Sequence, residues 1–242
     1  MVRDELDIIE PVVRNMVAQG CDLLIVADNL STDGTRDLLC ALADELPVSV
    51  VDDREVAYYQ SIKMTRLAHE AGRAGADWVV PFDADEVFYA PDGRSMAEVL
   101  RSAAADVVTA SGFDHVVTPY DDPLDPNPVS RVCYRRTFPQ KFPKVAFRYS
   151  PRVALHMGNH DVDGWGSRQG GLEYRHFQYR SLAQMTRKLR AGKAAYDASD
   201  IHPGHGTHWR EGGALSDGEL AAKWCGLSHE QGLVFDPAPF RG

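Results

Sequence analysis

Trp78-Val79-Val80-Pro81-Phe82-Asp83-Ala84-Asp85-Glu86 decides how this chain is read. Its first five residues have the character of a buried strand, and the last four pack three carboxylates at that strand's end. Like charges so close together repel, so such a cluster persists where a cation offsets it, and carboxylate oxygens suit Mg²⁺ or Mn²⁺. In an open α/β sheet, ligands bind at the carboxyl ends of the strands, where a metal can grip a diphosphate. A second pair, Asp161-Val162-Asp163, shows that Asp-x-Asp spacing alone is not selective. Placement at a strand's end carries the weight.

Outward from this stretch, strands and helices alternate. Val2 to Glu5 reads as the tail of a strand running into a helix over about Asp7 to Gln19, whose Ile8, Ile9, Val12, Val13, Met16 and Val17 recur at helical spacing. Gly20 is a natural stop. Leu23 to Ala27 is a short buried strand ending in the polar turn Asp28 to Thr35, which can cap a helix carrying Leu38, Leu39, Leu42 and Leu46. Val48 to Val51 is a third strand with Asp52-Asp53 at its end. A helix over about Gln60 to Ala74 then leads to the strand ending at Asp83. This βαβα rhythm implies a mostly parallel central sheet covered on both faces, in an α/β fold.

Ser95-x-x-Glu98 opens a short helix as a capping box, and Asp106 to Ser111 reads as one more strand. Beyond Gly112 the rhythm breaks into an irregular α+β part. Pro119, Pro123, Pro126 and Pro128 mark an acidic surface loop. Val129 to Tyr134 and Val145 to His156 read as strands, and Ser181 and Ser216 as caps of two further helices. The expected division is a ligand-binding α/β half over 1–111, an acceptor-side half over 112–200 and an extension over 201–242.

Composition bounds the function. The 242 residues, 44% of them hydrophobic, suffice for a sizeable core. A formal net charge of −9 argues against an electrostatic grip on nucleic acid or anionic lipid. No apolar run reaches the roughly 18 residues that span a bilayer, and no signal peptide is visible, so a cytoplasmic protein is expected. Cys21, Cys40, Cys133 and Cys225 are scattered without a Cys-x-x-Cys, which suits free thiols. Neither a Gly-x-Gly-x-x-Gly nor a Gly-Lys-Ser/Thr loop is present, so a nucleotide would have to be held by carboxylates, turn amides and a metal.

At this point the chain resembles the family-2-like glycosyltransferases of GT-A fold. The resemblance rests on Met1 to Glu5, Val26 to Thr35 and Asp77 to Glu86, in that order and spacing, with looser agreement over Lys144 to His160 and His176 to Ser181. It implies a three-layer, Rossmann-like fold and a nucleoside-diphosphate sugar donor, with uracil favoured, bound across the strand ends. Asp28 would accept from the base, and Arg3 and Glu5 would line the same pocket, with Asp33 on the same strand end. Asp83 would face the ribose or a metal-bound water, while Asp85 would ligate Mn²⁺ or Mg²⁺. A late histidine completes such sites, which points to His176 ahead of His160. Inverting displacement by the acceptor hydroxyl is the course the resemblance implies. The start of the family's first strand would fall upstream of Met1, so an earlier start is expected.

Other residues keep two readings. Lys63 would touch phosphate or stand as a solvated lysine, and Arg180 or Lys188 would reach the diphosphate. Asp114 is the first candidate for the base that takes the acceptor's proton, with Asp121 and Asp122 as rivals. His156, His160 and His176 also read as core histidines, and His202, His205 and His208 as a flexible loop. Acceptor identity is open among a glycan, a small metabolite and a lipid-linked sugar, the last met peripherally at a membrane. A nucleotidyltransferase lacks its Gly-rich loop here. A non-catalytic sugar-nucleotide or glycan-binding relic would have lost carboxylates that this chain keeps.

Overall fold

The computed structural model describes residues 1–238, so residues 239–242 of the expected extension lie outside the described part. Helix α1 (Ile9–Ala18) leads to strand β1 (Leu24–Asp28), helix α2 (Thr35–Ala43), strand β2 (Val48–Asp52) and helix α3 (Gln60–Arg73). Strands β3 (Trp78–Val79) and β4 (Glu86–Tyr89) follow. Next come α4 (Met96–Ser102), β5 (Val107–Asp114), the one-turn α5 (Pro128–Arg131) and β6 (Tyr134–Arg135). The rest comprises β7 (Lys144–Arg148), β8 (Ala154–Leu155), β9 (Val162–Asp163), β10 (Arg168–His176), α6 (Leu182–Asp197), α7 (Thr207–Ala214), α8 (Asp217–Ser228) and β11 (Val234–Phe235).

The chain divides into two units. The first comprises Met1–Asp53, Gln60–Phe113 and Phe138–His176, and the second Arg54–Tyr59, Asp114–Thr137 and the described residues from Phe177 onward. In the first unit α1 turns Ile9, Val12, Val13 and Met16 inward. Ile9, Val13 and Met16 join a core with Val26, Leu39, Phe88 and Tyr174. The helix stops at Gly20, whose φ of +90° disfavours other residues and whose missing Cβ would lie 2.6 Å from Ala97 Cβ. Strands β1 and β2 pair in parallel from Leu24 opposite Val48 to Asp28 opposite Asp52, with α2 as their crossover.

The expectation of a mostly parallel central sheet is corrected. The five-stranded sheet runs β3-β7-β5-β10-β4. Strand β7 is antiparallel to both β3 and β5, and β10 is antiparallel to β4. Parallel neighbours need a long crossover, usually a helix. The β1–β2 pair has one, whereas β7 and β10 arrive through irregular segments and enter as antiparallel partners. The sheet is mixed.

Three expected strands also change. Of Trp78 to Phe82 only Trp78 and Val79 pair, opposite Arg148 and Phe147. Pro81 has no N–H to give a ladder, and pairing ends at Val79. The Val129 to Tyr134 run begins as α5, because Pro128 suits a helix's first position and the Asn127 side chain accepts from Val129 N–H. The Val145 to His156 run splits at Pro151 into β7 and β8. The expected caps form: Ser95 and Ser216 close capping boxes with Glu98 and Glu219, and Ser181 accepts from Gln184 N–H.

A second cluster in the first unit gathers Met64, Val145, Phe147 and Leu155. A cavity of about 410 Å³ in the same unit has Met16, Leu24, Val26, Met64 and Val80 among its walls. The second unit centres on Met185, Leu189 and Leu220, with Tyr58 stacked on Tyr196 at 4.4 Å and β11 paired antiparallel to β6. All four cysteines are free, and burial pushes the Cys21 thiol up to about 12. No helix among the described residues is long and apolar enough to cross a membrane.

Candidate functional site

The carboxyl end of β1 is built by the first residues of the chain. Val2 bridges to Asp28 in parallel: Val2 N–H donates to Ala27 O at 2.9 Å, and Asn29 N–H to Val2 O at 2.8 Å. This places Arg3, Asp4 and Glu5 beside the polar turn after Asp28. Asp4 takes φ +53° and accepts from Thr32 N–H at 2.7 Å, while Glu5, itself buried, donates its N–H to Thr35 Oγ1 at 3.0 Å. Asp33 is a latch: one oxygen accepts from Thr35 N–H and Oγ1, the other from Leu6 N–H at 3.1 Å.

Asp28 is 5% exposed. Its Oδ2 accepts from Ser31 N–H at 3.4 Å and lies 3.9 Å from Arg36 Nη1. Its Oδ1 is buried with no hydrogen-bond partner, and so is Arg3 Nε, which stands 4.0 Å from Asp4 Oδ2. Two orphaned buried polar atoms, one acceptor and one donor, flank the end of one strand. Leaving a buried polar group unmet costs about 1–3 kcal/mol.

The Asp83–Glu86 turn joins β3 to β4, and its charges are met from within. Lys144, first residue of β7, is buried and places Nζ 2.5 Å from Asp83 Oδ2 and 2.9 Å from Glu86 Oε1. Glu86 Oε2 accepts from Asp83 N–H at 3.1 Å, closing the turn on itself. Asp83 Oδ1 takes longer contacts from Gln60 Nε2 at 3.5 Å and Asn159 Nδ2 at 3.4 Å. Burial works against the Asp83 charge, yet the Lys144 ammonium brings its carboxyl below the ordinary value. Burial prevails at Glu86 and raises it, while Asp83 and Glu86 together hold Lys144 well above the usual lysine range despite its burial.

Asp85 is buried too, and His176 meets it. The β4–β10 register sets His176 opposite Glu86, which brings His176 Nε2 to 3.5 Å from Asp85 Oδ2. The other ring nitrogen, Nδ1, lies 2.8 Å from Gln140 Nε2, and Gln140 Oε1 accepts from Tyr174 O–H at 2.7 Å. Tyr174 stacks on Phe88 and crosses Gly112, where a Cβ would meet its ring at 2.2 Å. His160 is engaged elsewhere: its Nδ1–H donates to Pro143 O at 3.0 Å, and burial lowers its pKa.

Lys63 pairs with Asp53 at 2.6 Å, and Asn29 donates to the same carboxylate. In the second unit, Arg180 is buried and donates from Nη1 to Phe177 O. Asp114 pairs with Arg136 at 2.8 Å, and Arg136 in turn grips both oxygens of Glu230. Asp121 accepts from Thr118 Oγ1, and burial pushes its carboxyl up; Asp122 accepts from Leu124 N–H. His156 pairs with Asp163, and the rings of His202 and His205 meet edge to face.

Sequence reasoning missed Lys144, Gln140 and Tyr174. A lysine directly before Val145-Ala146-Phe147 was a signal, because a buried strand that begins on a lysine needs a carboxylate to meet it. Gln140 carried no such signal. Among the described residues no group of three or more His, Cys, Asp or Glu side chains is arranged to hold a metal ion.

No family model and no curated protein matches the chain. Among solved structures it is similar to residues 1–349 of S. aureus TarS in complex with UDP. The identity is 12% and the TM-score 0.45, covering 96% of this chain and 72% of that one. TarS 1–349 in a second crystal structure gives 11% identity and a TM-score of 0.43, over 95% of this chain and 73% of that one. Likenesses at that level assign neither a family nor an activity.

Proposed function

We propose that this chain is a glycosyltransferase that moves a sugar from a nucleoside-diphosphate donor to an acceptor hydroxyl. The observation that carries the reading is the end of β1, where Asp28 Oδ1 and Arg3 Nε are buried and unmet. Native folds leave few such groups without a reason. A nucleobase with an N–H, uracil foremost, would give Asp28 Oδ1 its donor, and a base carbonyl would take the Arg3 N–H.

Divalent-ion dependence belongs to the same proposal. Mg²⁺ and Mn²⁺ are commonly held by one or two protein groups plus substrate phosphates rather than by a full protein cage. Asp85 and His176, 3.5 Å apart, fit that description as a two-donor site. When bound there, the ion would offset the charge that gathers on the departing diphosphate. The chain's own residues do the rest. Asp28 and Arg3 would fix the base, and Asp85 and His176 the diphosphate end. In the second unit, Asp114, paired with Arg136 at 2.8 Å, is the candidate for the acceptor's proton. Inversion at the anomeric carbon would follow from a single displacement.

Calorimetric titration with UDP and GDP, each with and without Mn²⁺, tests this directly. Micromolar binding of UDP that requires Mn²⁺ is expected. If no nucleoside diphosphate binds in the presence of metal, the transferase reading is lost.

A further inference from the structure

The three carboxylates of the Asp83–Glu86 turn are not equivalent, and Lys144 makes the difference. Strand β7 holds Lys144 opposite Ala110 of β5, so its backbone is fixed in the sheet while its side chain reaches the turn. The ammonium has three donors, and two of them go to Asp83 Oδ2 at 2.5 Å and Glu86 Oε1 at 2.9 Å. The other Glu86 oxygen takes Asp83 N–H, and the other Asp83 oxygen faces the amides of Gln60 and Asn159. Every oxygen of these two side chains therefore already has a hydrogen-bond donor within 3.5 Å. A divalent ion entering between them would meet the ammonium head-on, at a separation where repulsion in a buried setting is strong.

We propose that Lys144 is a positioning residue of the donor site: it stands where a cation would otherwise bridge Asp83 and Glu86, so that Asp85 alone of the turn's carboxylates meets the donor's metal-bound diphosphate. The proposal rests on the donor-site reading above and narrows it. Lys144 also fixes the turn's shape, because the Lys144–Glu86–Asp83 ring sets the direction in which Ala84 and Asp85 leave it.

Titration of Mn²⁺ alone, and of Mn²⁺ with UDP, into the wild-type chain and four variants tests this. Asp83→Asn should leave Mn²⁺ affinity essentially unchanged, whereas Asp85→Asn should weaken it by about 100-fold or more. Lys144→Met should admit a second Mn²⁺ between the freed carboxylates, seen as a raised stoichiometry. Lys144→Met with Asp83→Asn and Glu86→Gln should lose that second ion again. A purely structural lysine would not change the number of ions bound. The proposal is overturned if Asp83→Asn weakens Mn²⁺ as much as Asp85→Asn does, or if folded Lys144→Met binds the ion as the wild type does. Should Lys144→Met not fold, the comparison of Asp83→Asn with Asp85→Asn decides alone. Absence of both Mn²⁺ and UDP binding by the wild type would instead remove the donor-site reading itself.

Discussion

Two ends of the first unit's strands carry buried carboxylates, and they treat charge in opposite ways. At the end of β1, Asp28 keeps one buried oxygen without any donor, and Arg3 keeps a buried N–H without an acceptor. At the turn between β3 and β4, Asp83 and Glu86 are closed around Lys144, with backbone and amide donors on the remaining oxygens. The first arrangement costs stability and leaves chemistry available. The second secures the fold and uses its charge up. A carboxylate-rich turn can thus be a structural device, while a lone aspartate left wanting is the better sign of a ligand.

Breaking the closed end should give the largest effect. Lys144→Met strips the cation from the buried Glu86 and the half-buried Asp83, and removal of one partner from a buried pair typically costs about 3–5 kcal/mol. Chemical denaturation should show a loss of that size. A Lys144→Met chain as stable as the wild type would mean that the turn does not depend on its internal cation, and the contrast would collapse.

Next in size is Asp85→Asn. Its carboxylate is buried beside His176, outside the Lys144 ring. Mn²⁺-dependent UDP affinity should fall by about 100-fold, or roughly 2.7 kcal/mol. Calorimetry together with a denaturation curve separates the two readouts. A large stability loss with unchanged affinity would place Asp85 in the fold rather than the site.

The open end should respond in the reverse sense. Asp28→Asn replaces an acceptor by an amide that still fits, so UDP affinity should drop by about 1–3 kcal/mol while stability holds or rises. A fall in stability matching that at Lys144 would show that Asp28 serves the fold no less than the closed turn does.

The sequence made much of this legible, but unevenly. The β1-α2-β2 segment was plain, because apolar periodicity and a polar turn at Asp28 to Thr35 are local signals. The late caps at Ser95, Ser181 and Ser216 were equally local. The mixed sheet was not, since pairing Trp78 with Arg148 or Glu86 with His176 joins residues far apart in sequence. The Asp83–Glu86 cluster read as a site for a divalent ion; the cation seen beside Asp83 and Glu86 is Lys144, 58 positions beyond Glu86, which no spacing rule reaches. Asp33 read as a ligand contact because its whole block matches the family's pattern; that its oxygens accept from Leu6 and Thr35 N–H groups was not visible in the sequence. Nearness to Asp85 separates His176 from His160, and only the β4–β10 register shows it.

The smallest predicted effect tests how finely the Asp85 side is set. Tyr174 is fully buried, and its hydroxyl donates to Gln140 Oε1, whose amide nitrogen lies on His176 Nδ1. Tyr174→Phe removes that one donor while keeping the ring stacked on Phe88 and fitted over Gly112. The Gln140 amide then loses one of the bonds that orient it beside the imidazole. Outer partners of metal-binding histidines tune affinity by about 10–100-fold, and a relay two steps removed belongs at the low end of that range. Mn²⁺ affinity should therefore weaken by about 10-fold, with a stability change near 1 kcal/mol, the usual worth of one hydrogen bond. Gln140→Leu should give the same loss of affinity or more. Were Tyr174→Phe to lose stability but keep full Mn²⁺ affinity, the chain from Tyr174 to His176 would belong with the closed turn, and the line between the two ends would have to be redrawn around Asp85 alone.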